Sequence, residues 1–325
     1  QRQMCIRDRV RGLYETSGGR LFAVRGNSLI ELSSTGTQTF RGNINEPADR
    51  VVMTDNGTQM AIADGANIWA YTLSNNNLAV VTDADAPDTT PVIDFVDSYM
   101  FGFDPDAAQI GSFTHCEPND VTNWSATTVD VYTAEASPDK IVTLKVHDGQ
   151  VWMFGSKSME VWYNNGGDNV SSATWARLPG TVSTVGCGAK YSVSSTKDKI
   201  IWLGASKDGE NIVWMAGEGY KPIQISNKAM ETTIAGFSTI SDAWSYTFEY
   251  LGHFFYMLTF ESGDTSYLYD ITENEWVNWL SRNAQTGVQR RHRSVNHAFA
   301  FGKNYVGDHS NGNIYELSST TYTDN

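Results

Sequence analysis

The sequence predicts an all-β protein, an antiparallel β-propeller of six or seven blades, and three observations lead to this prediction. The composition favours short strands and tight turns: aromatic residues make up 12% of the 325 residues, with 28 glycines and only 8 prolines. One strand–turn–strand unit recurs at intervals of about 40 to 50 residues. The strands of this unit are apolar on consecutive residues, which indicates that both of their faces are covered.

The repeated unit is an apolar strand, a turn, and a second strand that carries aromatic or branched side chains. In chain order its copies are Leu21–Leu32, Met60–Tyr71, Val151–Tyr163, Ile200–Met215, Phe254–Asp270 and Tyr305–Leu317, with a looser copy at Tyr99–Phe113. A single blade cannot bury both faces of its sheet, so such blades pack face to face around an axis. Aromatic side chains, each burying about 150–250 Å², are therefore expected in the seams between blades.

The centres of these repeats predict the blade turns. Hairpin turns of type I′ require a positive φ, which glycine adopts without strain. The predicted turn glycines are Gly26, Gly65, Gly155, Gly209, Gly263 and Gly312, and Asp104 takes this place in the looser copy. One short helix is predicted over Ser226–Gly236, with Ser226 or Asn227 as its N-cap.

Charge restricts the classes of ligand. The formal net charge is −14 and is spread along the chain, whereas a nonspecific grip on a nucleic-acid backbone requires clustered Lys and Arg. One short basic run stands out, and we treat Arg290, Arg291 and Arg293 as candidate contacts to DNA or to a protein partner. The alternative is that this run is a solvated loop.

Cysteine usage and hydropathy indicate the compartment. Cys5, Cys116 and Cys187 form neither a disulfide framework nor a C-x-x-C pair, so a reducing compartment is expected. No apolar run approaches the roughly 18 residues of a membrane-spanning helix. The opening segment Gln1–Arg9 resembles a translated sequencing-adapter remnant, and we expect it to be non-native and to contribute nothing to the fold.

No catalytic, cofactor or metal site is predicted. Glu160 stands between apolar neighbours, and we expect it at the solvent edge of an outer strand rather than in a catalytic cleft. The adjacent pair His115–Cys116 lacks further ligands at metal-binding spacing. The acidic loops Asp83–Asp88 and Phe103–Ala108 lack the 12-residue calcium pattern that ends in Glu, and whether either loop binds Ca²⁺ stays open.

Three segments in fixed order resemble one family. Asp148–Gly166 contains a hairpin with glycine, glutamate and tryptophan, Arg177–Gly204 continues through GCGAKYS to IIWLG, and Gly219–Ile234 reads GYKPIQISNKAMETTI. This order is similar to that of the packaged-DNA stabilization proteins of short-tailed phages. The similarity extends from about Leu13 to the C-terminus and is carried by packing motifs, with no reactive group among them.

The resemblance implies a non-enzymatic structural protein, the tail hub or nozzle of a virion, assembled in the host cytoplasm. It implies a ring-shaped homohexamer that contacts the portal-adaptor tail protein and the tail needle or distal tail proteins. Such a ring closes the portal channel, retains the packaged genome, and allows double-stranded DNA to pass without sequence specificity. Because family members are longer, we expect residues 10–325 to form a propeller that is truncated at both ends.

Two other classes of function stay open at the level of sequence. One is a glycan-binding or glycoside-hydrolysing tail propeller, for which Glu160, Asp242, Glu249 and Asp270 are the carboxylates that could pair. The other is a kelch- or WD-like protein-interaction propeller. A kelch protein repeats its diglycine in most blades, and this chain does not.

Overall fold

The computed structural model describes residues 9–45, 50–124, 132–134, 138–167, 172–205, 211–282 and 286–318. Within these ranges the chain forms seven successive antiparallel sheets, a small two-stranded ribbon and one short helix. The first strands of the sheets surround a common axis. The fold is therefore a seven-bladed β-propeller, which confirms the all-β prediction and selects seven blades from the predicted six or seven.

The blades follow one another in chain order. Blades 1 and 2 contain β1 (Val10–Glu15), β2 (Leu21–Arg25), β3 (Ser28–Leu32), β4 (Gln38–Asn43), β5 (Val52–Asp55), β6 (Gln59–Ala63), β7 (Ile68–Thr72) and β8 (Asn77–Val80). Blades 3 and 4 contain β9 (Asp94–Val96), β10 (Tyr99–Gly102), β11 (Ser112–Glu117), β12 (Asp120–Trp124), β13 (Tyr132–Thr133), β14 (Ile141–His147), β15 (Gln150–Gly155), β16 (Met159–Asn164) and β17 (Trp175–Arg177).

Blades 5 to 7 complete the ring. Blades 5 and 6 contain β18 (Gly186–Cys187), β19 (Ser194–Ser195), β20 (Ile200–Ala205), β21 (Val213–Ala216), β22 (Ile223–Gln224), β23 (Trp244–Tyr250), β24 (His253–Phe260), β25 (Thr265–Asp270) and β26 (Glu275–Asn278), with α1 (Lys228–Ile234) between them. The ribbon is β27 (Leu280–Arg282) and β28 (Gln289–Arg291), and blade 7 is β29 (Ser294–Ala300), β30 (Lys303–Asp308) and β31 (Ile314–Glu316). No helix in the described part of the chain is long and apolar enough to cross a membrane.

Each of the seven seams between neighbouring blades is filled by its own apolar cluster. In the seam between blades 4 and 5, Phe154 and Trp202 are fully buried and their ring centroids lie 5.2 Å apart. The ring closes by the same means, because Ala298 and Ala300 of blade 7 pack with Leu13 and other apolar residues of blade 1. The apolar strands of the sequence are thus explained by burial on both faces.

The glycines predicted as blade turns fall into two groups. Gly26 and Gly65 lie between the second and third strands of blades 1 and 2, with φ of 56° and 85°. Gly155 instead ends β15, while Gly263 and Gly312 lie in turns, and none of these three has a positive φ. The expectation of a left-handed backbone is therefore wrong at these three positions. Gly209 lies outside the described residues.

Close approach, and not backbone conformation, accounts for two of these glycines. A Cβ atom at Gly155 would collide with the carboxylate of Asp139, which accepts a hydrogen bond from the Lys157 amide at 2.6 Å. A Cβ atom at Gly263 would lie 2.5 Å from the Phe237 ring. In the latter turn, the left-handed conformation is adopted by Asp264, with φ of 44°.

The predicted helix is present, and its N-cap is Asn227. The Met230 amide donates to the Asn227 side-chain oxygen at 3.0 Å, satisfying one of the free amides at the helix start. Met230 and Ile234 face the seam between blades 5 and 6. The helix therefore packs against the second and third strands of blades 5 and 6.

The seam between blades 6 and 7 contains a histidine that favours its neutral form. His297 stacks on Tyr246 with ring centroids 5.7 Å apart, and its Nε2 lies 2.7 Å from the Asn304 side-chain oxygen. Burial lowers the pKa of His297 to about 4. The neutral ring donates to Asn304, which in turn donates to the Glu249 carbonyl at 3.0 Å. Blade 7 is thereby hydrogen-bonded to blade 6.

This histidine predicts acid sensitivity of the fold. Because the pKa of His297 is depressed in the folded state, its full contribution to the free energy of unfolding is present above its ordinary pKa of 6.5. This contribution is lost as pH falls toward 4. We expect His297→Gln to reduce the loss of unfolding free energy between about pH 7 and pH 4.5 by about 2 kcal/mol. Denaturant unfolding of both proteins at each pH measures this difference, and identical pH profiles would contradict it.

Candidate functional site

A cavity of about 1050 Å³ opens on the propeller axis, and residues of all seven blades contribute to its wall. We call it the axial mouth. The residues that matter for its chemistry are Arg11, Arg50, Asp106, Lys190, Tyr191, Asp242, Trp244, Glu261 and Arg291. Two features of the sheet topology bring them together, the entry into each first strand and the turn between the second and third strands.

In an antiparallel blade, successive connections emerge at opposite ends of the sheet. The segment that enters the first strand and the turn after the second strand therefore lie at the same end. Arg50 and Lys190 come from entry segments, whereas Asp106 and Glu261 come from the later turns. The axial mouth is thus the end of the propeller at which the inner strands begin.

Cations gather around two aromatic rings in the axial mouth. The Arg50 guanidinium lies 4.2 Å from the Trp244 ring centroid and 5.9 Å from that of Tyr191. Lys190 lies 4.8 Å from the Tyr191 ring, and Arg291 lies 5.8 Å from the Trp244 ring. The rings are held side by side, because the Ser245 amide donates to the Tyr191 carbonyl at 2.8 Å. We call these five residues the cation–aromatic cluster; each ring face attracts the cations above it.

The cation–aromatic cluster lies where the axial mouth narrows. A second cavity of about 250 Å³ continues along the axis and shares Arg50, Lys190 and Tyr191 with the mouth. Further along this narrower cavity, Lys145 and Asp94 form an ion pair at 2.7 Å. A ligand entering the mouth would therefore meet the cations before the neutralised pair.

Among the residues that the structure describes, three carboxylates line the axial mouth, and one oxygen of Asp242 is buried there without a hydrogen-bond partner. Glu261 forms an ion pair with Arg291 at 3.1 Å, and the Asp242 carboxylate accepts a hydrogen bond from the Ser262 amide at 2.5 Å. The Asp106 side chain is 84% exposed and pairs with Lys140 at 3.4 Å. A glycosidase acid is kept protonated by a desolvated pocket. Glu261 is instead half-exposed and bonded to a guanidinium, so this arrangement does not resemble an acid in a desolvated pocket.

The three arginines predicted as contacts are not brought together. Arg291 lines the axial mouth, whereas the Arg290 side chain is 70% exposed and pairs with Asp264 at 3.3 Å. Arg293 lies between β28 and β29, where its amide donates to the Ser281 hydroxyl at 3.1 Å. Arg290 and Arg291 are neighbours on a strand, so their side chains leave opposite faces of the ribbon.

The prediction that Glu160 faces water is wrong. Glu160 is 1% exposed, and its carboxylate lies 3.7 Å from the Arg177 guanidinium on the adjacent strand. On β16 it lies two residues before Trp162, and the period of two places both side chains on the face that blade 3 covers. Glu160 is therefore part of a seam, away from the axial mouth.

The other sequence candidates have local structural partners. The His115 ring bonds to the Cys116 carbonyl at 2.9 Å and packs on Phe101, with ring centroids 5.6 Å apart. In the two acidic loops, Asp83 and Asp104 each accept the amide two residues later. Within the described ranges, no three His, Cys, Asp or Glu side chains are grouped so that they could hold a metal ion.

The cation–aromatic cluster was missed by sequence analysis. Arg50, Lys190, Trp244 and Arg291 are widely separated along the chain, and no motif spacing joins them. The one available signal was that each of these residues lies next to the start of the first strand of a blade. That signal becomes meaningful only when the blades close into a ring.

Two solved structures with similar folds are distant from this chain in sequence. The extracellular domain of the BT4673 two-component system of B. thetaiotaomicron is 9% identical with a TM-score of 0.60, over 96% of this chain and 38% of that one. This chain thus spans well under half of that relative. The WD40 β-propeller domain of Doa1 is 10% identical with a TM-score of 0.55, over 97% of this chain and 94% of that one. At such identities the likeness shows the fold alone.

The family comparison is more specific. None of the curated proteins compared with the chain matches its sequence. Residues 3–322 match the family described as bacteriophage P22 Gp10, beta-propeller, which confirms the resemblance to packaged-DNA stabilization proteins. Because this match covers nearly the whole seven-bladed ring, the chain belongs to the bacteriophage P22 Gp10 β-propeller family.

Proposed function

We propose that the protein is a structural component of a phage tail, the hub or nozzle that closes the portal channel after packaging. In this role it assembles as a ring of six copies, joins the portal-adaptor protein to the tail needle or distal tail proteins, and opens for ejection. Membership of the P22 Gp10 family is the observation that carries this proposal. We place the protein in the virion tail after assembly in the host cytoplasm.

The outer edges of the blades support lateral contacts between copies. The outermost strands of blades 1, 5 and 6 expose Phe40, Ile223 and Val277, which are 60%, 51% and 51% accessible. An edge strand also presents unpaired backbone groups, which makes an apolar edge a natural surface for association. These positions lie around the propeller wall, where neighbours in a ring would meet.

The charge distribution supports a passage for DNA better than a clamp. With a net charge of −14, the surface repels the phosphate backbone on average. Arg290 is the exposed cation of the predicted basic run and remains our candidate contact to DNA or to a partner. We propose no enzymatic role: Glu261 is paired with Arg291, Asp106 is exposed, and Asp242 is held by the Ser262 amide.

Ring assembly with the adaptor protein tests this proposal. We expect the protein to form a closed ring on its portal-adaptor partner, measured by mass photometry and by cryo-EM of the mixture. Phe40→Ser should weaken ring formation about tenfold or more, because a buried interface aromatic often carries more than 1.4 kcal/mol. Leu251→Ser is the matched control, since Leu251 is 79% exposed in the first turn of blade 6, away from the outer strands.

The result that would overturn the hub role is a monomer without affinity for the adaptor. Equal weakening by Leu251→Ser and Phe40→Ser would reject the outer strands as the contact surface.

A further inference from the structure

The axial mouth combines features of a binding site that the hub role does not require. Its cation–aromatic cluster contains Arg50, Lys190 and Arg291, three cations within 6 Å of two adjacent rings. The chain as a whole is strongly acidic, with a net charge of −14. The described lining of the mouth carries five cations, Arg9, Arg11, Arg50, Lys190 and Arg291, and three carboxylates, so this concave site has an excess of positive charge that draws anionic ligands.

The geometry points to carboxylates as the ligand groups. Arg291 already donates to the Glu261 carboxylate at 3.1 Å in the same cavity, which shows that a guanidinium here binds a carboxylate. Asp106 and Asp242 also lie in the wall of the mouth. These acidic groups would repel a ligand with densely packed phosphates more strongly than one whose single charges are spaced apart.

The size and lining of the mouth favour a short peptide. Its volume of about 1050 Å³ is just above the range of ordinary ligand pockets, about 300–1,000 Å³. Val142, Ile240 and Trp244 give the wall apolar surface for side chains between the carboxylates. A short peptide is a ligand of this size that carries both spaced charges and apolar side chains.

Arg50 and Arg291 are also held in place before any ligand arrives. Arg50 donates to the Val295 carbonyl and packs on Trp244, so its guanidinium is fixed at the neck of the mouth. Fixing these side chains in advance lowers the entropy lost on binding. We propose that the axial mouth binds an extended acidic peptide segment of a protein partner through the cation–aromatic cluster.

Fluorescence anisotropy with defined peptides tests this inference. The probe is a fluorescein-labelled peptide of alternating glutamate and serine, and its matched control replaces each glutamate by glutamine. We expect saturable binding of the acidic peptide alone. Arg50→Gln and Lys190→Gln should each weaken it about tenfold, as expected for loss of one charged contact. Lys228→Gln should leave binding unchanged, because Lys228 is 89% exposed on α1 and outside the mouth.

Several results would overturn the proposal. They are absence of saturable binding, equal binding of both peptides, or equal binding by the Lys190→Gln and wild-type proteins. Preferential binding of inorganic triphosphate, with displacement of the peptide, would instead identify a phosphate site. If thermal denaturation shows that the Arg50→Gln protein is not folded, the test relies on Lys190→Gln. The assay uses this chain alone, so its outcome is independent of ring assembly on the adaptor.

Discussion

Replacing Phe154 by alanine is expected to lower the free energy of unfolding by about 3–5 kcal/mol. Phe154 is 0% exposed in the seam between blades 4 and 5, where it packs on Trp202 and Trp152 with ring centroids 5.2 Å and 6.5 Å away. Truncation removes buried apolar surface and leaves a cavity between two rigid sheets that cannot collapse into it. Denaturant unfolding followed by tryptophan fluorescence measures the change.

The control is the same substitution at an exposed position. Phe299→Ala removes an aromatic side chain that is 54% exposed on β29, and we expect a change within about 0.5 kcal/mol. The comparison separates the loss of seam packing from the loss of a phenylalanine as such. Similar stabilities of the two variants would contradict the view that packing in the seams between blades stabilises the propeller.

Replacing Asp64 by alanine is expected to lower the free energy of unfolding by at least about 3 kcal/mol. Asp64 is 0% exposed, and its carboxylate accepts four hydrogen bonds, from the amides of Asn45, Ala66 and Asn67 and from the Trp69 indole. The alanine variant leaves all four donors without this acceptor. The substitution therefore disrupts both the turn after β6 and the segment that links blade 1 to blade 2.

Two further variants sharpen this test. Asp64→Asn keeps one side-chain oxygen as acceptor and should cost less than the alanine variant, since the turn loses charge but not every bond. Asp85→Ala removes an exposed aspartate from another loop, and we expect a change within about 0.5 kcal/mol. Thermal and denaturant unfolding should rank the three variants in this order. An Asp64→Ala protein as stable as Asp85→Ala would refute the role of the buried carboxylate.

The sequence predicted those parts of the fold that depend on neighbouring residues. The residues that cap the helix at Asn227 lie within one helical turn of it. Gly26 and Gly65 adopt a left-handed backbone because the hairpin turns in which they lie require it. Repeated apolar strands indicated covered faces, and the order of packing motifs indicated the phage family. Gly155 and Gly263 show the limit, because the atoms that require glycine there belong to Asp139 and Phe237, outside the turn.

The environment of Glu160 shows a second limit. The alternation of side chains along β16 assigns Glu160 to one face of the blade 4 sheet. Only the position of blade 3 decides whether that face is exposed to solvent or buried. A buried carboxylate with an arginine at 3.7 Å is a tertiary property, since its burial depends on a whole neighbouring sheet.

By itself, the sequence determined an all-β repeat architecture, one capped helix, the family, and an acidic net charge. The tertiary structure alone decided the seven-blade closure, the burial of Glu160, and the meeting of Arg50, Lys190, Trp244 and Arg291 at one end of the axis. The physical reason is range. Turn, strand and cap preferences act between residues a few positions apart, whereas the axial mouth exists only because seven separate sheets bring distant residues around one axis.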